Sequence, residues 1–324
     1  MLSFDEILQR IEHEVSCLHF NCSPNSLYIP IEYILSLGGK RIRPALTLIA
    51  CNIYKDTIDD AIAPALSLEV FHNFTLLHDD LMDQADKRRN KPTVHKIWNA
   101  NTAILSGDAM VIASYKIIAG SKPEFLKELI DLFTTTALAI CGGQQYDMEF
   151  ESRLDVSEVE YLEMIRLKTA VLLACGLKMG AITGGASKND AEHLYQYGLH
   201  IGLAFQLKDD LLDVFGDPDT FGKNIGGDIL CNKKTFLLIN ALKKASPEQQ
   251  KELHHWLTKK EFDPTEKIKT FRCIYNELGL KEMTESKIQE YYQKALTHFS
   301  SLHVPEEKLG VLKEVSTILL HREF

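Results

Sequence analysis

From Leu66 to Met82 apolar residues recur at intervals of three and four without Pro or Gly, and the same rhythm returns over 96–119, 157–182, 190–214 and 280–299. That spacing puts the apolar side chains on one face of an α-helix, and no stretch shows the sustained two-residue alternation of a strand. Helix starts carry their own chemistry. "SEVE" at Ser157–Glu160 is a capping box, and "SPEQ" at Ser246 and "DPTE" at Asp263 put proline at the first helical position. Loops are expected at 21–30, at "SLGGKR", at 84–95, around 184–189 and over the polar stretch 215–232. No low-complexity linker and no fixed-period repeat divides the chain, so one large domain over 1–324 is expected. Helices of this length, apolar on much of their surface, pack around one another, and the predicted fold is an all-α antiparallel bundle.

Size and composition narrow the function. A chain of 324 residues with 45% hydrophobic side chains fills a large core. Its net charge of -9 excludes broad electrostatic attraction to nucleic acid or an anionic membrane, so basic residues must act locally. No apolar run reaches the ~18 residues of a membrane span. The first twenty residues carry early acids in place of a signal-peptide block, so a cytoplasmic protein is expected. Seven scattered cysteines without a CxxC pair suggest reduced thiols and no zinc site, and the twelve histidines include no HExxH.

The candidate chemistry lies in "LLHDDLMDQADKRRN". Asp79 and Asp83 are one helical turn apart and share a face, with Asp80 expected beside them at the rim. Such like charges repel, and the pattern returns as Asp209, Asp210 and Asp213 in "FQLKDDLLDVFGD". If the two helices face each other, six carboxylates, all ionised near neutral pH unless strongly perturbed, line one cavity that needs cations. Hard carboxylate oxygens without nearby His or Cys favour magnesium or manganese, which substrate phosphates usually complete. The expected ligand is therefore a diphosphate. Arg88 and Arg89 follow the first motif, "GGKRIRP" supplies Lys40 and Arg43, and Lys168, Lys223 and Lys233 stand in "KTA", "FGKN" and "NKKT". Arginine grips phosphate oxygens in a fork and lysine neutralises them as a point charge.

"GGKRIRP", "EVFHNFTLLHDDLMD" with "KRR", "KTA", and "FQLKDDLLD" followed by "GK" and "NKKT" together resemble the trans isoprenyl diphosphate synthases, in order from about residue 38 to 235. The resemblance implies an isoprenoid-synthase bundle with a central cavity. It implies a prenyltransferase in which an allylic diphosphate (dimethylallyl, geranyl or farnesyl) loses pyrophosphate and isopentenyl diphosphate adds to the cation. By similarity the six aspartates hold magnesium, about three ions with diphosphate bound, directly or through water. Arg88, Lys168, Lys223 and Lys233 take the allylic diphosphate, and Lys40, Arg43, His72 and Arg89 take isopentenyl diphosphate. The Lys168 carbonyl, Thr169 hydroxyl and Gln206 amide match positions that steady the cation. "CNKKT" departs from the family, which often has Gly before the lysine, and this leaves Lys234 as a substitute for Lys233. A homodimer is also implied.

Product length is read from α-helical geometry, each turn being about 5.4 Å, comparable to one isoprene unit. Phe74 and Thr75 precede Asp79 by five and four positions, with Phe71 and Leu68 deeper. By family resemblance, and not from geometry alone, a lone aromatic at the first of these implies the twenty-carbon pattern, so geranylgeranyl diphosphate is the expected product, with farnesyl or a longer polyprenyl diphosphate as the alternatives. A terpene cyclase would have no use for Lys40, Arg43, His72 and Arg89, and a non-catalytic regulatory subunit would have no need of two complete motifs. Beyond about residue 240 no chemistry is legible, and that segment is expected to complete and cover the bundle.

Overall fold

The Ser3 hydroxyl accepts from the Glu6 N–H while the Glu6 carboxylate receives the Ser3 N–H, and this reciprocal cap starts α1 (Phe4–Ser16). The computed structural model describes residues 1–20, 22–216 and 225–320. The succession continues with α2 (Asn25–Ser36), α3 (Ile42–Tyr54), α4 (Asp59–Met82), a hairpin of β1 (Lys87–Arg88) and β2 (Lys91–Pro92), α5 (Val94–Ile97), α6 (Ala100–Ile118) and α7 (Pro123–Glu151). Then come α8 (Glu158–Ile165), a π-helical segment (Arg166–Ala170), α9 (Val171–Gly184) and α10 (Lys188–Phe215). The rest is α11 (Gly227–Leu230), α12 (Phe236–Lys244), α13 (Pro247–Thr258), α14 (Pro264–Glu277), α15 (Leu280–Phe299), a short 3₁₀ turn (Glu306–Leu309) and α16 (Gly310–Leu320).

The all-α expectation holds, and differences from the pattern have local causes. The loop expected at 21–30 is shorter, because Ile31, Ile34 and Leu35 bury one face of α2 and Pro30 is accommodated inside it. The helix expected from 96 begins at Ala100, where the Asn99 side chain accepts from the Thr102 N–H at 2.9 Å. Within 84–95 the chain makes a two-residue hairpin, and within 215–232 it makes α11. α7 has no counterpart among the expected helices, since its three threonines and Gly142–Gly143 obscure the apolar rhythm.

The chain forms two compact units. The first comprises Met1–Thr135, Cys175–Tyr195 and His303–Lys313; the second comprises the described residues of Thr136–Ala174, Gln196–Leu302 and Glu314–Phe324. In the first unit α4 packs along α6 and α3, and most of its length from Ala61 to Asp80 is buried. Gly176, Gly180 and Gly184 on α9 admit α3 closely: a methyl group at Gly180 would stand 2.0 Å from the Thr47 carbonyl oxygen. In the second unit α12 packs on α8, α14 and α15, while α14 also meets α11 and α13. No helix among the described residues is long and apolar enough to cross a membrane.

Candidate active site

In the first unit, Asp80 continues the buried stripe of Val70, Asn73 and Leu77 on α4. Its side chain therefore turns inward, 3% exposed, where the sequence suggested the rim. Arg88 meets it with two nitrogens: Nε donates to Oδ2 at 2.7 Å and Nη2 stands 2.7 Å from Oδ1, while Asp79 lies 3.9 Å from Nη2. Burial pushes the Asp80 carboxyl upward and Arg88 opposes that shift. Asp79 is half-buried and Asp83 exposed.

The β1–β2 hairpin separates the two arginines. Arg89 and Asn90 occupy its turn with φ of 51° and 62°, the left-handed pair of a type I′ connection. Arg88 thus returns to Asp80, and Arg89 reaches the "GGKR" loop. A methyl group at Gly39 would stand 2.8 Å from Arg89 Nη2, and the Gly39 φ of 148° also suits glycine alone. Arg41 holds this loop from behind: Nε donates to Glu12 at 2.9 Å, Nη1 to Glu69 at 2.5 Å and Nη2 to the Leu35 carbonyl at 3.1 Å. Lys40 is exposed beside it. Arg43 Nη1 lies 3.1 Å from His72 Nε2, an acceptor in the Nδ1–H tautomer.

Burial first, then the fields of Arg43, Arg89, Arg88 and Arg41, drive the His72 pKa well below its ordinary 6.5. His72 is therefore neutral at pH 7 in a strongly positive pocket. The unfolded chain takes up a proton at this histidine near pH 6.5 while the folded one resists. Its contribution to stability is complete above that pH and is lost as pH falls through it. His72→Gln is expected to flatten this acid limb in denaturant titrations between pH 7 and 5.5. Bound inorganic pyrophosphate is expected to raise the His72 pKa in an imidazole NMR titration, and an unmoved resonance would count against an anion pocket here.

The second unit builds its motif on a helix defect. The Val171 N–H reaches the Arg166 carbonyl, five residues back, so "KTA" lies in a π turn that periodicity alone does not reveal. Two glycines let this turn approach its neighbours: a methyl group at Gly143 of α7 would stand 2.4 Å from the Lys168 nitrogen, and one at Gly202 of α10 2.6 Å from Ala170 Cα. Lys168 Nζ donates to Asp147 Oδ2 at 2.6 Å. Thr169 Oγ1 donates to Gln206 Oε1 at 3.0 Å, and Gln206 Nε2 to Asp210 Oδ1 at 2.9 Å. Tyr161 completes the set by donating to Asp210 Oδ2 at 2.5 Å. Asp210 is thus buried and bound through both oxygens, with burial pushing its pKa upward, as at Asp80. Asp209 and Asp213 are half-buried, and Asp213 Oδ2 accepts the Asp228 N–H at 2.9 Å.

Lys233 stands 3.6 Å from Asp228 Oδ1. Asn232 before it has φ of 56°, so it fills the glycine-like position with the residue that tolerates that conformation best after glycine. Lys234 is 5% exposed and donates to the carbonyls of Asn232 and Glu151 at 3.0 and 3.2 Å, so it is spent on the loop and does not replace Lys233. Lys223 lies outside the described residues.

Below Asp79, the half-buried Phe74 ring is 4.8 Å from the His78 ring and 5.3 Å from that of Phe71. Phe71 is buried 5.2 Å from Phe133, whose ring is 5.0 Å from Tyr115. The Thr75 hydroxyl donates to the His72 carbonyl at 2.8 Å, and Leu68 is buried.

A model of the polyprenyl synthetase family matches residues 24–275. The chain belongs to that family. It is 40% identical over 246 residues to a short chain isoprenyl diphosphate synthase of Methanothermobacter thermautotrophicus, covering 76% of this chain and 74% of that one. It is also 40% identical over 249 residues to a geranylgeranyl diphosphate synthase of Methanosarcina mazei, covering 75% and 77%. A crystal structure of a geranylgeranyl pyrophosphate synthase superposes with a TM-score of 0.92 at 43% identity, covering 99% of each chain. This polyprenyl synthetase is accordingly a prenyltransferase of the isoprenoid-synthase fold.

Among the described residues no three acidic, imidazole or thiol side chains converge as a closed metal cage. Within each unit the half-buried or exposed carboxylates, Asp79 and Asp83 on α4 and Asp209 and Asp213 on α10, are nevertheless the oxygen donors that suit a hard divalent ion, which keeps waters and borrows phosphate oxygens. Sequence reasoning missed Asp147, Tyr161, Asp228 and Arg41. The first three act across the fold, where no local pattern points to them. The inward turn of Asp80 and Asp210 did leave a signal, since each follows a buried leucine, Leu77 or Leu207, by three positions.

Proposed function

We propose that this enzyme condenses isopentenyl diphosphate with dimethylallyl, geranyl and farnesyl diphosphates to make geranylgeranyl diphosphate, working as a single domain over 1–324. One family match runs through both units, and the boundaries at 135/136, 174/175 and 195/196 fall inside helices. The observation that carries the condensation is the cationic pocket around His72, distinct in composition from either aspartate motif. A reaction with one diphosphate substrate would have no use for it.

In this reading Lys40, Arg43, His72 and Arg89 bind isopentenyl diphosphate, and Arg88, Lys168, Lys223 and Lys233 bind the allylic diphosphate. Asp79, Asp83, Asp209 and Asp213 hold magnesium, while Asp80 and Asp210 fix Arg88 and Gln206. When bound, the ions neutralise charge on the departing diphosphate. The Lys168 carbonyl, Thr169 hydroxyl and Gln206 amide direct their dipoles at the allylic cation, and the pre-placed cations stabilise the leaving group more in the transition state than before it. The released pyrophosphate takes the final proton. Phe74 sets the floor beneath the growing chain. A second copy covers Leu105 and Ile112, exposed two turns apart on α6, and the homodimer works in the cytoplasm.

Purified protein incubated with labelled isopentenyl diphosphate, magnesium and each allylic starter in turn tests this. Twenty-carbon product from all three starters, abolished by EDTA, is expected. Hydrocarbon from an allylic diphosphate alone would replace the reading with a cyclase, and no condensation with any starter would overturn it.

A further inference from the structure

The C-terminal third buries a cation that the reaction does not use. Lys267 of α14 has no exposed surface, yet its Nζ donates to Asn232 Oδ1 at 2.6 Å and to the Leu230 carbonyl at 3.3 Å. The same ammonium lies 4.2 Å from the centre of the Phe262 ring and 6.0 Å from that of Phe271. Lys234 approaches the loop from its other end through the Asn232 and Glu151 carbonyls. Neither lysine meets a carboxylate at ion-pair distance among the described residues. Burial depresses both of their pKa values, since an ammonium held only by neutral groups is costly to keep charged.

Both ammonium groups converge on Asn232, the left-handed residue immediately before Lys233. Asn232 also donates to the Leu257 carbonyl at 3.3 Å, so its side-chain oxygen and nitrogen are both committed. The loop they fix closes on itself through the Lys233 N–H and the Asp228 carbonyl, 2.9 Å apart. From there the contacts run outward, from Lys233 to Asp228 and from the Asp228 N–H to Asp213 of the second motif. A one-residue change of course at Asn232 would carry the Lys233 side chain away from Asp228 and the motif.

We propose that Lys267 is a positioning residue for allylic diphosphate binding: by clamping Leu230 and Asn232 it holds the loop that presents Lys233 beside the second aspartate motif. This rests on the reading that Lys233 grips the allylic diphosphate. A side chain on α14 thereby takes part in substrate recognition without touching substrate.

A double-mutant cycle tests the assignment. Lys267→Met keeps the length of the side chain and removes the ammonium. It is expected to raise KM for the allylic diphosphate roughly tenfold, the scale of one charge-assisted hydrogen bond, and to leave KM for isopentenyl diphosphate unchanged. Lys233→Ala is expected to raise the same KM, and adding Lys267→Met to it is expected to change little more. A merely structural lysine would give additive losses or shift both KM values together, and either result overturns the clamp. Should Lys267→Met fold poorly by circular dichroism, Asn232→Gly keeps the left-handed backbone and removes the acceptor. It is expected to raise the allylic KM only while Lys233 is present, and an unchanged KM overturns the proposal. Wild-type condensation in the same assay tests the underlying activity, so the two failures are distinguishable.

Discussion

Asp79→Ala and Asp209→Ala are each expected to lower kcat by about a hundred- to a thousandfold, the effect of removing one pre-placed electrostatic contact from a transition state. Their urea midpoints should stay close to wild type, because both side chains are only half-buried. Asp80→Ala and Asp210→Ala should behave differently. Asp80→Ala strands Arg88, whose guanidinium loses its close contact with both Asp80 oxygens, and about 2–3 kcal/mol of stability is expected to go with it. Asp210→Ala leaves the buried Tyr161 hydroxyl without its acceptor and releases the Gln206 amide, for about 1–3 kcal/mol. Measuring kcat and urea midpoints for the four variants separates the classes. Equal losses of kcat with no difference in midpoint would mean that these four aspartates face the chemistry alike.

This contrast marks how far the sequence could be read. The DDxxD spacing gave both motifs, because positions i and i+4 share a helix face whatever the helix packs against. Which aspartate turns inward depends on the rotation of the helix, and that is set by its neighbours. On α4 the buried stripe of Val70, Asn73 and Leu77 runs on into Asp80, so apolar periodicity held the answer, but a charged residue at its end reads by default as the solvent side. The basic run after the first motif was legible as phosphate chemistry. Its division between Arg88 and Arg89 came from the family resemblance alone and not from residue pattern, since it arises from two left-handed residues in a turn without glycine.

The least legible parts are those where two distant segments meet. The π turn at "KTA" depends on close approach to Gly143 and Gly202, and each glycine alone looks like a helix weakness. Asp147 gains its meaning only from Lys168, twenty-one positions on. The departure at "CNKKT" was visible, and its physical answer, asparagine as the next best left-handed residue, also follows from residue type. What residue type withheld was the buried Lys267 beneath it, because a lysine on an amphipathic helix is ordinarily taken as solvent-facing.

Phe74→Ala is expected to move the main product up by one isoprene unit, from twenty to twenty-five carbons, and no further. Removing the ring opens about one helical turn of space, or 5.4 Å, along α4. Thr75 does not refill that space, since its hydroxyl is turned to the His72 carbonyl. The next layer is the buried Phe71, braced by Phe133 and, through it, by Tyr115, and this closes the gap one turn down. Phe71→Ala alone is therefore expected to leave product length unchanged while costing about 3–5 kcal/mol of stability as a core cavity. Chromatography of the products from farnesyl and isopentenyl diphosphates reads the first effect, and urea denaturation the second. An unchanged distribution in Phe74→Ala would remove Phe74 as the floor, and uncontrolled growth past twenty-five carbons would show that Phe71 does not lie beneath the chain.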